Sequence, residues 1–176
     1  LGHARVLVVF DVVYRGRLEA KGRYSVAGSL IAPRATQDVA LSWAVPEMWP
    51  LIDRLLTAYP GVVAGIKDSS GDWNNTQAVI EAFGGKGFDV YAGSETFLLP
   101  TLRAGGAGCI SATANVNGGA IAASAAAWRE PGADHRQAAL DRVRATFQKR
   151  PMIAAMKAAI ATGTGDEGWC RVRPPL

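Results

Sequence analysis

A strand, a polar turn and a helix follow one another three times between residues 62 and 130, and few folds accommodate that order. Val62-Val63-Ala64-Gly65-Ile66-Lys67 is a short apolar run that reads as a buried strand. The turn Asp68-Ser69-Ser70-Gly71-Asp72 follows, with Ser70 and Asp72 both suited to capping a helix start. Trp73, Thr76, Ile80 and Phe83 then recur at helical spacing until Gly84-Gly85 stops the helix. The second unit is the strand Phe88–Ala92, the turn Gly93-Ser94-Glu95 and a helix from Thr96 to Arg103, ended by Gly105-Gly106. The third is the strand Gly108–Ala112, the turn Thr113–Asn117 and Ala-rich helices over roughly 118–130, 134–149 and 151–162, with Pro151 in the first turn of the last.

Upstream, Arg5–Phe10 is a β-branched run expected to form a parallel strand. A helix opens at Pro46-Glu47, carries Trp49, Ile52, Leu55 and Leu56 on one face, and closes at Tyr59-Pro60-Gly61. Residues 11–46 hold no steady period; Ser25–Ile31 reads as either a strand or a poor helix. Units of roughly 20–25 residues imply parallel strands joined by right-handed crossovers, in a doubly wound sheet or part of a (β/α)8 barrel. Strands near 6, 62, 88 and 108 are about half of what a closed barrel requires.

Composition narrows the function classes. Apolar residues make up 49% of the 176 and charged residues 19%, as in a globular domain with a sizeable core. No apolar run reaches the ~18 residues of a membrane span, and the first residues do not have the layout of a signal peptide. The net charge of +4 comes from arginines spread along the chain, which argues against a nucleic-acid surface and is compatible with carboxylate substrates. Cys109 and Cys170 lack zinc-site spacing, so no metal is expected, and two apparently unpaired thiols suggest the cytoplasm. His135, in a polar connection, and His3 leave a Ser-His-Asp hydrolase little to work with.

Lys67 carries the most chemistry. Alternation along a strand puts Val63, Gly65 and Lys67 on one face and Val62, Ala64 and Ile66 on the other. In a barrel, a lysine ending a strand projects into the mouth where active sites form. A lysine amine walled by apolar groups loses hydration of its charged form and becomes available to attack a ketone. The plainer reading is a lysine that ends a strand at the surface. Gly105-Gly106-x-Gly108 follows a helix and precedes a strand, the reverse of a phosphate-binding loop, and reads as a helix end. Glu95 and Asp72 read as helix-start carboxylates.

Gly65-Ile66-Lys67-Asp68-Ser69-Ser70-Gly71-Asp72 resembles the Schiff-base lysine motif of the dihydrodipicolinate synthase / N-acetylneuraminate lyase family of class I pyruvate-dependent aldolases. Tyr91-Ala92-Gly93-Ser94-Glu95 is similar to the segment after that family's seventh barrel strand, and Gly105–Val116 to its eighth strand and following loop. The ending Val172-Arg173-Pro174-Pro175-Leu176 also resembles the family, and the likeness runs from about Leu51 to the C-terminus. It implies a partial (β/α)8 barrel, roughly strands 4–8, followed by C-terminal helices: 1–117 as partial barrel, with 11–46 diverged or irregular, and 118–176 as the C-terminal helical segment. By resemblance, Lys67 condenses with pyruvate or another 2-oxo acid to an iminium, an enamine forms, and it adds to an aldehyde or imine, or the reverse cleavage occurs. The family needs no metal or organic cofactor. Gly93 and Ile110 would line the pyruvate pocket; otherwise Gly93 is a turn glycine at positive φ and Ile110 a core side chain.

The chain also departs from the family. Nothing corresponds to the early Gly-Thr-Thr-Gly-Glu-like turn whose threonine relays protons. Leu30-Ile31-Ala32-Pro33 stands where the family has a Tyr-Asn-x-Pro-like motif, so Leu30 replaces the proton-transferring tyrosine. Arg34 lies near a carboxylate-binding arginine of some members, and Tyr14 near an aromatic position after the fourth strand. With no initial Met, these features lead to the expectation of a truncated, decayed gene product. A half barrel leaves strand edges unpaired, which invites a second copy of the chain and allows a homo-oligomer. Three readings stay open: a lyase or synthase working through Lys67; an inactive remnant that at most binds 2-oxo acids or partner subunits; and an unrelated α/β binding domain with a structural Lys67. The acceptor aldehyde is left open.

Overall fold

A computed structural model describes residues 6–10, 45–85 and 87–172, with side chains from Trp49 onward. Ser25–Ile31, Leu30, Arg34 and Tyr14 lie outside the described residues. The chain runs through β1 (Val6–Phe10), α1 (Val45–Ala58), β2 (Val63–Asp68), α2 (Trp73–Phe83), β3 (Asp89–Ala92), a 3₁₀ turn (Glu95–Phe97), α3 (Leu98–Arg103) and β4 (Gly108–Cys109). Helices α4 (Ala114–Ala126), α5 (Ala133–Gln148) and α6 (Met152–Thr164) follow, and a 3₁₀ turn (Glu167–Cys170) closes the described chain. The strands form one parallel sheet in the order β1-β2-β3-β4, as the alternation of strands and helices predicts. No helix among the described residues is long and apolar enough to cross a membrane.

Helices α1 and α2 pack on one face of the sheet. Ile66 and Val90 are register partners on neighbouring strands, are 0% and 1% exposed, and meet Val79, Ile80 and Phe83 of α2 and Ile52 of α1. Trp49 and Phe88 flank Phe83 with ring centroids 6.0 and 5.9 Å away, a spacing typical of favourable aromatic pairs. Truncating Ile66 to alanine in such a core costs about 2–5 kcal/mol. A second cluster joins Leu98 of α3, Ile121 of α4 and Leu140 of α5, with Cys109 of β4 packed against it.

The local signals produce the expected boundaries of α2, and β2 runs one residue later than expected, from Val63 to Asp68. Asp72 caps α2, its carboxylate accepting from Asn74 N at 2.9 Å, and Gly85 beyond the helix takes φ +74°. Other details differ from the sequence reading, among them β4, which is Gly108–Cys109 where a strand over Gly108–Ala112 is expected. Val63 joins the helix-side core with Ile66 rather than sharing the face of Lys67. The β1–β2 register shifts there: Val6 pairs Val63 while Leu7 pairs Gly65, and the irregularity breaks the alternation. The predicted turn Thr113–Asn117 is mostly helical, because α4 starts at Ala114 and absorbs a kink at Asn117 (φ −139°, ψ 25°).

Candidate functional site

The site is built at the carboxyl ends of β2, β3 and β4. Lys67 pairs in register with Val9 of β1 and Tyr91 of β3, and Tyr91 pairs with Gly108 of β4. Alternation puts Lys67 and Tyr91 on the face opposite Ile66 and Val90, away from the core shared with α1 and α2, and both are half-buried. Gly93 is two residues beyond Tyr91 and Ile110 two beyond Gly108. The ladder continues through Ile110 N–H to the Ala92 carbonyl at 2.9 Å. The three residues singled out in the sequence therefore stand at the ends of three neighbouring strands.

Gly93 does not have the positive φ expected of a turn glycine; that backbone occurs at Gly71, Gly105 and Gly108 among others. Close approach is what excludes a side chain. Its N–H donates to the Asp68 carbonyl at 2.6 Å, and a Cβ would lie 2.7 Å from that oxygen and 2.8 Å from Ser69 Cα. Asp68, 7% exposed, fixes the turn after Lys67. Its carboxylate accepts from Ser70 N and Ser70 Oγ, both at 2.9 Å, and from Thr76 Oγ1 of α2 at 2.5 Å. Between these anchors Ser69 Oγ is buried without a hydrogen-bond partner among the described residues. A buried hydroxyl left unpaired at a strand end is an unspent donor and acceptor.

Glu95 is the largest departure from the sequence reading. It lies in the first turn after Ser94, but Ser94 supplies the cap by accepting from Thr96 N at 3.2 Å. The Glu95 side chain is 0% exposed, and its two carboxylate oxygens accept from the hydroxyls of Ser111 and Thr113, beyond β4. Arg144 of α5 adds the counter-charge, with Nη1 3.2 Å from Glu95 Oε2 and 3.1 Å from Ser111 Oγ. Gln137, two turns earlier, donates to the Glu95 carbonyl at 2.9 Å and accepts from Leu99 N at 3.0 Å. A buried carboxylate requires such a set of donors and an opposite charge. The nearby Cys109 thiol is pushed up to about 11, first by burial and then by the negative Glu95.

No group of three or more His, Cys, Asp or Glu side chains comes together as metal ligands among the described residues. The chemistry on offer is one amine, a cradle of backbone groups, and hydroxyls aligned by buried carboxylates.

Comparison with known proteins places this arrangement. Residues 47–176 match the model of the dihydrodipicolinate synthetase family. An uncharacterized DapA-like lyase of Chloroflexus aurantiacus is 31% identical over 133 residues, covering 75% of this chain and 44% of the relative. The crystal structure of dihydrodipicolinate synthase from Agrobacterium tumefaciens superposes with a TM-score of 0.59 at 33% identity, over 72% of this chain and 42% of the other. YagE of E. coli K12, a prophage protein of the dihydrodipicolinic acid synthase family solved in complex with pyruvate, gives a TM-score of 0.60 at 26% identity, over 72% and 44%. The chain thus spans less than half the length of each of these proteins. The four parallel strands, alternating with helices, are part of the (β/α)8 barrel seen in such enzymes. The match over residues 47–176 means that the chain belongs to the dihydrodipicolinate synthetase family.

Proposed function

We propose that this chain carries the imine-forming part of a pyruvate-dependent lyase or synthase, with Lys67 as the nucleophile. The observation that carries the reading is the position of Lys67: half-buried on β2, on the face of a parallel sheet opposite the Ile66–Val90 core, beside Tyr91 and next to the strand ends bearing Gly93 and Ile110. In the neutral form, Lys67 Nζ attacks the keto carbon of pyruvate or another 2-oxo acid. Loss of water leaves an iminium, whose positive nitrogen withdraws electrons from the neighbouring methyl carbon. Departure of a proton from that carbon gives an enamine, and its carbon adds to the carbonyl carbon of an aldehyde. Water then hydrolyses the new iminium, returning the free lysine and releasing the product. The same steps in reverse cleave the carbon–carbon bond.

The neighbours support this use. The close contact of Gly93 with Asp68 and Ser69 leaves backbone groups, not side chains, between the ends of β2 and β3. Ser69 Oγ offers an unpaired hydroxyl for a polar substrate atom. The YagE structure was solved with pyruvate, which is the 2-oxo acid we assign here. A homo-oligomer and a cytoplasmic setting fit the family reading.

A second reading keeps imine formation without turnover. It is favoured by Leu30, which stands where resemblance calls for a proton-transferring tyrosine. Sodium borohydride with labelled pyruvate tests both. Label fixed to Lys67, located by peptide mapping, supports the imine; label elsewhere or none refutes it. Fixed label without consumption of any aldehyde supports the second reading, since loss of general acid–base help costs about 100- to 10,000-fold.

A further inference from the structure

Helix α5 sends two side chains to the segments that follow β3 and β4. Gln137, Leu140 and Arg144 recur at i, i+3 and i+7, so they form one stripe. Leu140, 1% exposed, packs with Leu98 and Ile121 and holds the helix in place. Gln137 Nε2 bonds the carbonyls of Glu95 and Thr96 at 2.9 and 3.2 Å. Arg144 Nη1 bonds both Glu95 Oε2 and Ser111 Oγ. Glu95 is two residues beyond Gly93, and Ser111 follows Ile110. The last backbone bond between these strands is from Ile110 N–H to Ala92. Beyond it, the spacing of the two strand ends is held by the Glu95 carboxylate, the hydroxyls of Ser111 and Thr113, and Arg144.

We propose that Arg144, assisted by Gln137, is a positioning residue: it sets the distance between the turns of Gly93 and Ile110 and thereby the affinity for the 2-oxo acid. The affinity part rests on the reading of Lys67 as the imine-forming residue. A buried carboxylate holds its neighbours only while its charge is compensated. Without the guanidinium, Glu95 gains by opening toward water, and the two strand ends separate. The amine on β2 is untouched, so capture of bound pyruvate continues at its own rate.

The test uses the full chain as Arg144→Met, Arg144→Lys and Ser111→Ala, with two readouts. The first is amide hydrogen exchange at Gly93 and Ile110, with Ile66 as an internal reference. The second is the pyruvate concentration that half-saturates borohydride trapping, with the plateau rate. For Arg144→Met, exchange at Gly93 and Ile110 accelerates by about ten-fold or more with Ile66 unchanged. Half-saturation rises about ten-fold while the plateau rate stays within about two-fold, the pattern of lost uniform binding. Arg144→Lys restores part of both, because an ammonium keeps the counter-charge of Glu95 on a shorter side chain that reaches the Nη1 position less well. If Arg144→Met does not fold, Ser111→Ala carries the same two readouts: it removes the Arg144 contact on the β4 side, and so loosens the two turns, while Glu95 keeps Arg144 and Thr113 and its charge stays compensated. Unchanged exchange at Gly93 and Ile110 in the folded variants overturns the proposal, as does equal acceleration at Ile66. An unmoved half-saturation overturns its affinity part. A wild-type chain that traps no pyruvate refutes the Lys67 reading and the affinity part with it, while the exchange data still decide whether Arg144 holds the two turns.

Discussion

The backbone N–H of Gly93 donates to the carbonyl of Asp68 at 2.6 Å, and the contact is too close for any side chain between them. A methyl group at position 93 would meet backbone atoms of Asp68 and Ser69, which cannot swing aside as a flexible side chain would. Gly93→Ala is expected to destabilise the chain by about 1–3 kcal/mol, the usual cost of overpacking. Because the displaced atoms adjoin Lys67, borohydride trapping of pyruvate should fall more steeply than stability. Urea unfolding and trapping measured on the same preparation check this; equal stability to wild type contradicts it.

Asp68 holds the turn that follows the lysine. Asp68→Ala removes the acceptor for Ser70 N, Ser70 Oγ and the buried Thr76 hydroxyl at once. As donors, the two hydroxyls keep only the longer contact to the Asp72 carbonyl at 3.3 Å, and Ser70 N–H loses its acceptor, a loss of about 1 kcal/mol or more, so the alanine variant should unfold at lower denaturant. Asp68→Asn keeps one carbonyl acceptor and should retain about half of the difference. Denaturant midpoints for the three proteins give the order, and an asparagine variant weaker than the alanine variant would contradict it.

Lys67→Met replaces the amine with a thioether of similar length on the same strand. The imine cannot form, so label from pyruvate should not be fixed, while the circular dichroism spectrum stays that of the wild type. Lys67→Arg should behave alike, since a guanidinium stays protonated and is no nucleophile. Residual fixation in either variant assigns the imine to another lysine.

Local signals in the sequence reached as far as neighbouring residues decide the structure. The period of Thr76, Ile80 and Phe83, the Asp72 cap and the glycines at 84–85 delimit α2 without outside help. The position of Lys67 near the end of β2 was legible for the same reason: an apolar run meets a polar turn there. Val63 was misplaced because its direction depends on a register shift against β1, more than fifty residues upstream. The role of Glu95 was hidden likewise. Its partners Ser111, Thr113 and Arg144 are 16, 18 and 49 residues away, and nothing in an Ala-rich helix distinguishes Arg144 from a solvated arginine. The paired hydroxyls Ser111 and Thr113, directly after an apolar strand, were the available hint.

The two cysteines should separate by reactivity and by pH. Cys170 is exposed, whereas Cys109 packs against Leu98, Ile121 and Leu140 with its thiol pushed up to about 11 from an ordinary 9.0. Only the thiolate attacks an alkylating reagent, so at pH 8 Cys109 presents on the order of a thousandth of its population in reactive form. Iodoacetamide at pH 8 should therefore modify one thiol quickly and the second only after denaturation. The sign of the pH effect on stability follows from the same shift. Below about pH 9 the thiol is protonated in both folded and unfolded chains and makes no difference. Between about 9 and 11 the unfolded chain releases this proton and the folded one retains it, so stability falls as pH rises through that window. Cys109→Ser would retain a small group with no proton to lose there and should flatten this part of the profile. Denaturant midpoints at pH 8, 9 and 10 for wild type and Cys109→Ser measure the difference. Parallel profiles would mean that the thiol at position 109 does not titrate differently in the two states.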